Sequence, residues 1–117
     1  MQSFSDKQFN KRLDESSRIL IKYPDRLPII ITKDPKNNTL PDIDKQKYLV
    51  PKDLTIGQFQ YVIRKRLRLD PSKSLFIFFA DANVLASTSS QINHVYEQYK
   101  NSDNFLYCVY TEQEVFG

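Results

Sequence analysis

The chain has little that would let it span a membrane, hold a metal or bind a nucleotide. Its apolar stretches fall well short of the roughly 20 residues that cross a bilayer, and its first nine residues, MQSFSDKQF, lack the apolar segment of a secretory signal. Only two glycines, Gly57 and Gly117, are present, so a glycine-rich phosphate loop is excluded. The sequence also has no metal-ligand spacing. We therefore expect a cytoplasmic protein with no metal site and no cofactor.

Cysteine and histidine are equally scarce. The single cysteine, Cys108, cannot form an internal disulfide, which fits a reducing compartment. Together with the single histidine, His94, it could supply the nucleophile and base of an enzyme. However, Cys108 lies within FLYCVY, an apolar run that is typical of a strand, and packing in the core is the favoured interpretation. We predict no catalytic residue.

Length and charge bound the partner classes. A chain of 117 residues is about right for one domain with one core, and we expect no second domain. Residues 1–68 hold fifteen Lys and Arg against eight Asp and Glu, whereas residues 69–117 hold two against six. The basic half would attract nucleic acid, anionic lipid or acidic peptide, so charge alone does not choose among them.

The N-terminal region has helical spacing up to the Tyr23-Pro24 stop. Asp14 lies four residues before Arg18, a spacing that allows an ion pair on one helix face. We predict one main helix preceded by a short helical piece. The apolar face is predicted to comprise Phe9, Leu13, Ser17 and Leu20.

Four strands and two further helices follow. Residues 27–33, 45–50, 75–79 and 105–111 read as strands, with residues 34–44 and 80–90 as loops. Ile56, Phe59, Ile63 and Leu67 recur at helical spacing, and Ile92, Val95, Tyr96 and Tyr99 indicate a last helix that the preceding serines could cap. This order favours an α+β roll, of which the β-grasp is the simplest form.

The strand around residue 48 carries the functional signal. Lys45, Lys47 and Leu49 should face one side and Gln46, Tyr48 and Val50 the other, because side chains alternate along a strand. Lysines and the terminating Pro51 are typical of a sheet edge. The edge could merely repel other strands, or it could accept an extended peptide with pockets on both sides. Both interpretations stay open at this point.

A second basic cluster follows in the helix that begins near residue 56. Arg64, Lys65, Arg66 and Arg68 suggest phosphate binding at face value. The cluster has no interleaved aromatic residues and no nucleic-acid motif, so no nucleic acid is expected as a partner.

Four blocks of the chain carry a resemblance to a known family. They are YPDRLPI at 23–29, DKQKYLVPKDLTIGQFQYVIRKRL at 44–67, DNFLY at 103–107, and the final VFG. The chain resembles the autophagy ubiquitin-like modifiers of the GABARAP and light-chain-three type. The resemblance implies a ubiquitin-like β-grasp with two extra N-terminal helices, although Gln8 stands where the family often has proline. It divides the single domain into a helical extension at 1–24, a core at 25–111 and an exposed tail at 112–117.

The same resemblance implies a function for the tail. The carboxyl group of Gly117 would be joined to phosphatidylethanolamine by an activating and a conjugating enzyme through cysteine thioesters. A cysteine protease would trim the precursor and later cleave the lipid amide, so the chain would be a substrate and not a catalyst. Gly117 would then be either the encoded end or a trimmed end. The protein would occupy the cytoplasm and, once lipidated, autophagosomal or other vesicle membranes.

The resemblance also implies a dock for cargo receptors that carry an aromatic residue followed, three positions on, by an aliphatic one. The aromatic site would comprise Glu15, Ile19, Pro28, Lys47, Leu49 and Phe105. The aliphatic site would comprise Tyr48, Val50, Pro51, Leu54, Phe59, Ile63 and Arg66. Acidic residues before the motif would meet Lys45, Lys47 and Arg26. The alternative is a ubiquitin-like interaction domain that keeps this dock but is not conjugated.

Overall fold

A computed structural model describes the backbone of residues 4–112 and the side chains of residues 8–112. The described part contains three helices and five strands. In chain order they are α1 (Phe4–Lys22), β1 (Arg26–Lys33), β2 (Lys47–Pro51), α2 (Ile56–Leu67), β3 (Phe76–Phe79), β4 (Val84–Leu85), α3 (Ile92–Tyr99) and β5 (Leu106–Thr111).

The five strands form one mixed sheet in the order β2-β1-β5-β3-β4. β1 pairs antiparallel with β2, placing Ile29 opposite Tyr48, and parallel with β5, placing Ile29 opposite Leu106. β3 lies antiparallel between β5 and β4. The first strand and the last strand thus meet at the centre of the sheet, and β2 lies at an edge, as predicted.

α2 forms because its apolar residues recur on one face and both of its ends are capped. Thr55 Oγ1 accepts from the Gln58 N–H at 3.2 Å, and the Gln58 side chain accepts from the Thr55 N–H at 2.9 Å, which closes a capping box. The helix ends at Arg68, whose φ of 55° lies in the left-handed region. Its buried face then covers one side of the sheet. That face consists of Ile56, Phe59, Ile63 and Leu67, as predicted.

The serines before α3 do not cap it, so that prediction is wrong. Its N-cap is Gln91, whose side chain makes no capping hydrogen bond. Carbonyl groups from the segment between β2 and α2 accept from the first N–H groups instead: Leu54 from Ile92 at 2.8 Å and Lys52 from Asn93 at 3.0 Å. Because these carbonyl groups belong to a distant segment, the local sequence gives no sign of them.

The N-terminal extension is one continuous helix over the described residues, not the main helix plus a separate piece that was predicted. No proline or glycine interrupts Phe4–Lys22, and Gln8 keeps the backbone N–H that a proline would lack. The centre of its buried face is Ser16, which is fully buried and was not on the predicted apolar face. The predicted ion pair is present, with Arg18 2.9 Å from Asp14.

Two further details differ from prediction. Residues 84 and 85 form the short strand β4 inside the region predicted to be a loop, and both are exposed. Two residues are too few to show the period of a strand. Lys45 lies before β2, which begins at Lys47, so the predicted side-chain alternation does not extend to Lys45.

Cys108 packs in the core, as predicted. It is 2% exposed, and burial raises the pKa of its thiol to about 12, which disfavours the thiolate that a nucleophile needs. His94 is exposed on α3. Among the side chains described, those of residues 8–112, no group of three His, Cys, Asp or Glu could hold a metal ion. No helix within residues 4–112 is long and apolar enough to cross a bilayer.

Candidate functional site

The free edge of β2 presents backbone groups. Ile31 N–H donates to Gln46 O at 2.9 Å and Lys52 N–H donates to Asp25 O at 3.1 Å, which fixes the phase of the antiparallel ladder. Bonded and non-bonded pairs alternate in such a ladder, so the N–H and C=O groups of Lys47 and Leu49 point away from β1. An added strand could pair with them.

The predicted aromatic site forms where α1 lies over the outer face of the sheet. Lys47 Nζ lies 2.9 Å and 3.0 Å from the two carboxylate oxygens of Glu15, and 6.0 Å from the centre of the Phe105 ring. Pro28 is opposite Leu49 in the sheet. Phe105 is only 1% exposed, and Lys47 of the Lys47–Glu15 pair lies over its ring. The structure connects five predicted members by these contacts, and it places the sixth, Ile19, half-buried on α1. The five are Glu15, Pro28, Lys47, Leu49 and Phe105.

A polar anchor that sequence reasoning missed holds α1 in this position. The Asp103 carboxylate, 1% exposed, accepts from Arg12 Nε at 3.0 Å, the Tyr107 hydroxyl at 2.5 Å and the Phe105 N–H at 2.9 Å. Ser16 Oγ donates to the Asp103 carbonyl at 2.6 Å. Burial, with the Asp103 hydrogen bond adding to it, raises the pKa of Tyr107 to about 12. The only available signal was DNFLY, which by itself reads as a turn before a strand.

The predicted aliphatic site lies on the inner face, against α2. The Tyr48 ring meets the Phe59 ring edge-on, with centres 5.9 Å apart and planes at 80°. Val50, Phe59 and Ile63 are buried in the core and therefore form the floor of the site. Pro51 and Leu54 are partly exposed and can line it.

The hydroxyl group of Tyr48 is the one buried side-chain polar atom of the described residues that makes no hydrogen bond. Burial raises the pKa of this phenol above its usual value of 10.0, while the charge of Arg66 opposes that rise. A buried hydroxyl group without a hydrogen-bond partner destabilises the fold, unless a ligand supplies the partner.

Charged groups form the rim of the aliphatic site. Arg66 binds Asp44 through Nε at 2.9 Å and Nη2 at 3.3 Å, and this contact lowers the pKa of Asp44. Lys45 Nζ lies 5.1 Å from the centre of the Tyr48 ring, so Lys45 belongs to this rim and not to the side of Lys47. Asp44 was not predicted.

The remaining acid-binding candidate, Arg26, donates through Nη1 to the Leu49 carbonyl at 3.2 Å, so it also lies at the edge. The other basic cluster is largely engaged within the chain. Arg64 donates to the carbonyl groups of Lys73 at 2.8 Å and Asp70 at 3.2 Å, and Lys65 Nζ lies 4.9 Å from the centre of the Tyr61 ring. These contacts disfavour a phosphate-binding surface.

Comparison with known proteins agrees with this architecture. The sequence model of the family described as "Autophagy protein Atg8 ubiquitin like" matches residues 11–117. This chain belongs to the Atg8 family. It is 51% identical to autophagy-related protein 8e of Arabidopsis thaliana over 112 residues, which cover 96% of this chain and 89% of that protein. It is 49% identical to autophagy-related protein 8 of Schizosaccharomyces pombe, with 96% and 90% covered.

A solved structure extends this agreement to three dimensions. The crystal structure of Trypanosoma brucei ATG8 matches with a TM-score of 0.82 and 36% identity over 100% of both chains. The resemblance and the ubiquitin-like α+β fold are therefore confirmed, and the chain is an ubiquitin-like protein of autophagy. Gly117, the predicted conjugation residue, lies outside the described residues.

Proposed function

We propose that this Atg8-family chain is a modifier joined through Gly117 to phosphatidylethanolamine and that it recruits cargo receptors at the β2 edge. The observation that carries the proposal is the family match, which extends from residue 11 through Gly117 itself. In this function the chain is a substrate, and its partners are the activating, conjugating and delipidating enzymes. It would divide between the cytoplasm and autophagosomal or other vesicle membranes.

The chemistry explains why the reacting residue is glycine. Activation with ATP would convert the Gly117 carboxylate into an acyl adenylate, releasing pyrophosphate. An enzyme thiol would then displace AMP to form a thioester, and the lipid amine would displace the thiol to form an amide. Glycine has no Cβ, so a narrow channel can admit it and a thiol or amine can reach its carbonyl carbon.

The first prediction tests conjugation directly. The protein is incubated with the activating and conjugating enzymes, ATP and phosphatidylethanolamine liposomes, and the lipidated band is followed on a gel. Gly117→Ala should slow conjugation by roughly tenfold or more, which corresponds to about 1.4 kcal/mol in the barrier. Gln113→Ala, a change elsewhere in the tail, is the matched control. Unimpaired lipidation of Gly117→Ala would contradict the proposal, and no lipidation of the unaltered chain would favour the non-conjugated interaction domain.

The geometry of the β2 edge supports the docking part of the proposal. A receptor segment can pair with the backbone groups of Lys47 and Leu49 while its alternate side chains enter the two sites. Its aromatic residue would replace the Lys47–Glu15 pair over Phe105. Both members of this pair are substantially exposed, at 59% and 41%, so breaking it should cost only about 0.2 to 1 kcal/mol.

The second prediction tests whether the two sites are distinct. Leu49→Ala should weaken mainly the contribution of the aromatic residue of the peptide, and Tyr48→Ala mainly that of its aliphatic residue, each by about 1 to 3 kcal/mol. Calorimetric double-mutant cycles with alanine at either peptide anchor measure this preference. Matched pairs should couple strongly and crossed pairs weakly. Unchanged affinity in both variants, with circular dichroism showing both folded, would show that β2 is a blunted edge and not a dock.

A further inference from the structure

The last described residue of the chain, Glu112, is held from two directions. Its carboxylate accepts from the Thr39 hydroxyl group, and its Oε1 lies 3.6 Å from Lys73 Nζ. Thr39 belongs to the loop between β1 and β2, whereas Lys73 belongs to the loop between α2 and β3. We call these three residues the tail clasp. They play no part in the peptide dock.

Both arms of the tail clasp are themselves fixed to the domain. Asn37 Oδ1 accepts from the Thr39 N–H at 3.0 Å, and the Asn37 amide donates to Thr111 Oγ1 at 3.2 Å. The single hydroxyl proton of Thr39 is donated to Glu112. The backbone of Lys73 is held by Arg64 Nη1, 2.8 Å from its carbonyl oxygen. The clasp therefore connects Glu112 to two loops whose residues are hydrogen-bonded to the rest of the domain.

The position of Glu112 matters because Gly117, the proposed conjugation residue, is close to it in sequence. Four residues lie between Glu112 and Gly117, so five residue steps join them, and an extended chain advances at most about 3.3 to 3.6 Å per residue. Gly117 can therefore lie no more than about 18 Å from Glu112. Any loosening at Glu112 spreads the carboxyl group of Gly117 over a larger volume and lowers its concentration at an enzyme thiol.

We propose that the tail clasp is a positioning element for conjugation: the Thr39 hydroxyl group and the Lys73 ammonium group hold the carboxylate of Glu112 and so restrict the residue from which the tail continues. The inference rests on the proposed conjugation through Gly117. None of the three residues touches the reacting atoms, so they are positioning residues and not catalytic ones.

The test removes both arms and keeps Glu112. Thr39→Val removes the hydroxyl group at constant shape, and Lys73→Met removes the charge at similar length. In the double variant, the NMR order parameter of the Glu112 amide should fall from about 0.85 towards 0.6 or below. The rate of thioester and amide formation at subsaturating protein should fall about twofold to fivefold, the range that an exposed ion pair can supply. Lys36→Met, which removes a charge from the loop that contains Thr39, is the matched control. It should change neither the order parameter nor the rate.

A charge swap separates positioning from direct enzyme contact. Lys73→Glu alone should slow conjugation, and adding Glu112→Lys should restore the rate, because the pair is rebuilt with its signs reversed. An enzyme that bound Lys73 directly would not be rescued, and that result would overturn the inference. The inference would also be overturned if the order parameter of the Glu112 amide did not change in the double variant. The same holds if that order parameter fell while the conjugation rate stayed the same. If the unaltered chain is not conjugated at all, the proposed function falls as well, whereas normal conjugation that ignores the clasp removes this inference only.

Discussion

The two sides of β2 differ in the interactions that hold them. On the inner side, Tyr48 and Val50 pack on Phe59 and Ile63, which belong to the main core. On the outer side, Leu20 of the covering helix α1 packs against the core, and directional polar contacts, above all those of Asp103, hold the rest of the helix. One side of the candidate dock is thus part of the core, whereas the other depends on an added helix.

This difference has an energetic meaning. Apolar burial is non-directional and summed over many atoms, so small displacements leave most of it intact. A few hydrogen bonds and ion pairs are lost abruptly when a helix moves. We therefore expect the inner side to set the stability of the fold and the outer side to set how easily α1 opens, and the following predictions separate the two.

The largest effect is expected on the inner side. Phe59→Ala removes a ring that is 1% exposed, and such truncations cost about 3 to 5 kcal/mol through lost burial and a residual cavity. Denaturant unfolding followed by circular dichroism measures the loss. Phe59→Leu is the control and should cost less than about 1.5 kcal/mol. A loss below 1 kcal/mol for Phe59→Ala would mean that this side is not part of the core.

A smaller effect, confined to α1, is expected on the outer side. Asp103→Ala leaves Arg12, the Tyr107 hydroxyl group and the Phe105 N–H without their acceptor, at a cost of about 1.5 to 3 kcal/mol. Hydrogen exchange should quicken in α1 more than in α2. The control on the same helix is Asp14→Ala, which breaks an exposed pair worth about 0.3 to 0.5 kcal/mol. Equal loss of protection in α1 and α2 would contradict the separation of the two sides.

The inner side was largely predictable from sequence, and the outer side was not. The spacing of Phe59 and Ile63 and the alternation of Tyr48 with Leu49 are periodic signals, and the structure places these side chains as expected. Phe105 and Ile19 entered the prediction only through the family resemblance. Residues 103 and 12 are 91 positions apart, and no period connects them.

The misses have a common physical cause. The cap of α3 is formed by the carbonyl groups of Leu54 and Lys52, and the centre of the α1 face is Ser16, whose hydroxyl group bonds to residue 103. Each feature depends on a tertiary hydrogen bond, whereas the sequence prediction relied on a local pattern of neighbouring residues. Apolar periodicity records which face is buried, whereas a buried polar side chain is explained only by a partner that the fold supplies.

The smallest effect is expected for Tyr48, an inner-side residue that has both an apolar ring contact and a buried polar group. Tyr48→Phe keeps the edge-on contact with Phe59 and removes a buried hydroxyl group that makes no hydrogen bond within the described residues. Since nothing is lost in pairing and a desolvated polar group disappears, stability should stay the same or rise by up to about 1 kcal/mol. A loss of more than 1 kcal/mol on denaturant unfolding would show that the hydroxyl group is paired in solution.

The pH dependence of stability in the alkaline range also tests the burial of the Tyr48 hydroxyl group. Because burial raises the folded-state pKa of Tyr48 above 10.0, folding favours the neutral phenol. The resulting contribution is fully present below pH 10.0 and is lost as pH rises from there through the folded pKa.

Other buried tyrosines titrate in the same range, but they are common to both proteins and cancel in the difference. The stability of the unaltered chain relative to Tyr48→Phe should therefore be constant up to about pH 9 and fall above pH 10, because the unfolded Tyr48 phenol loses its proton there whereas Phe has no proton to lose. That fall adds to any stability that Tyr48→Phe gains at neutral pH, and it is largest if the phenol is well buried, because its unfolded form then ionises while its folded form does not. A difference that stays flat between pH 9 and 11 would place the Tyr48 hydroxyl group in contact with water, and the aliphatic site would then be open at its floor.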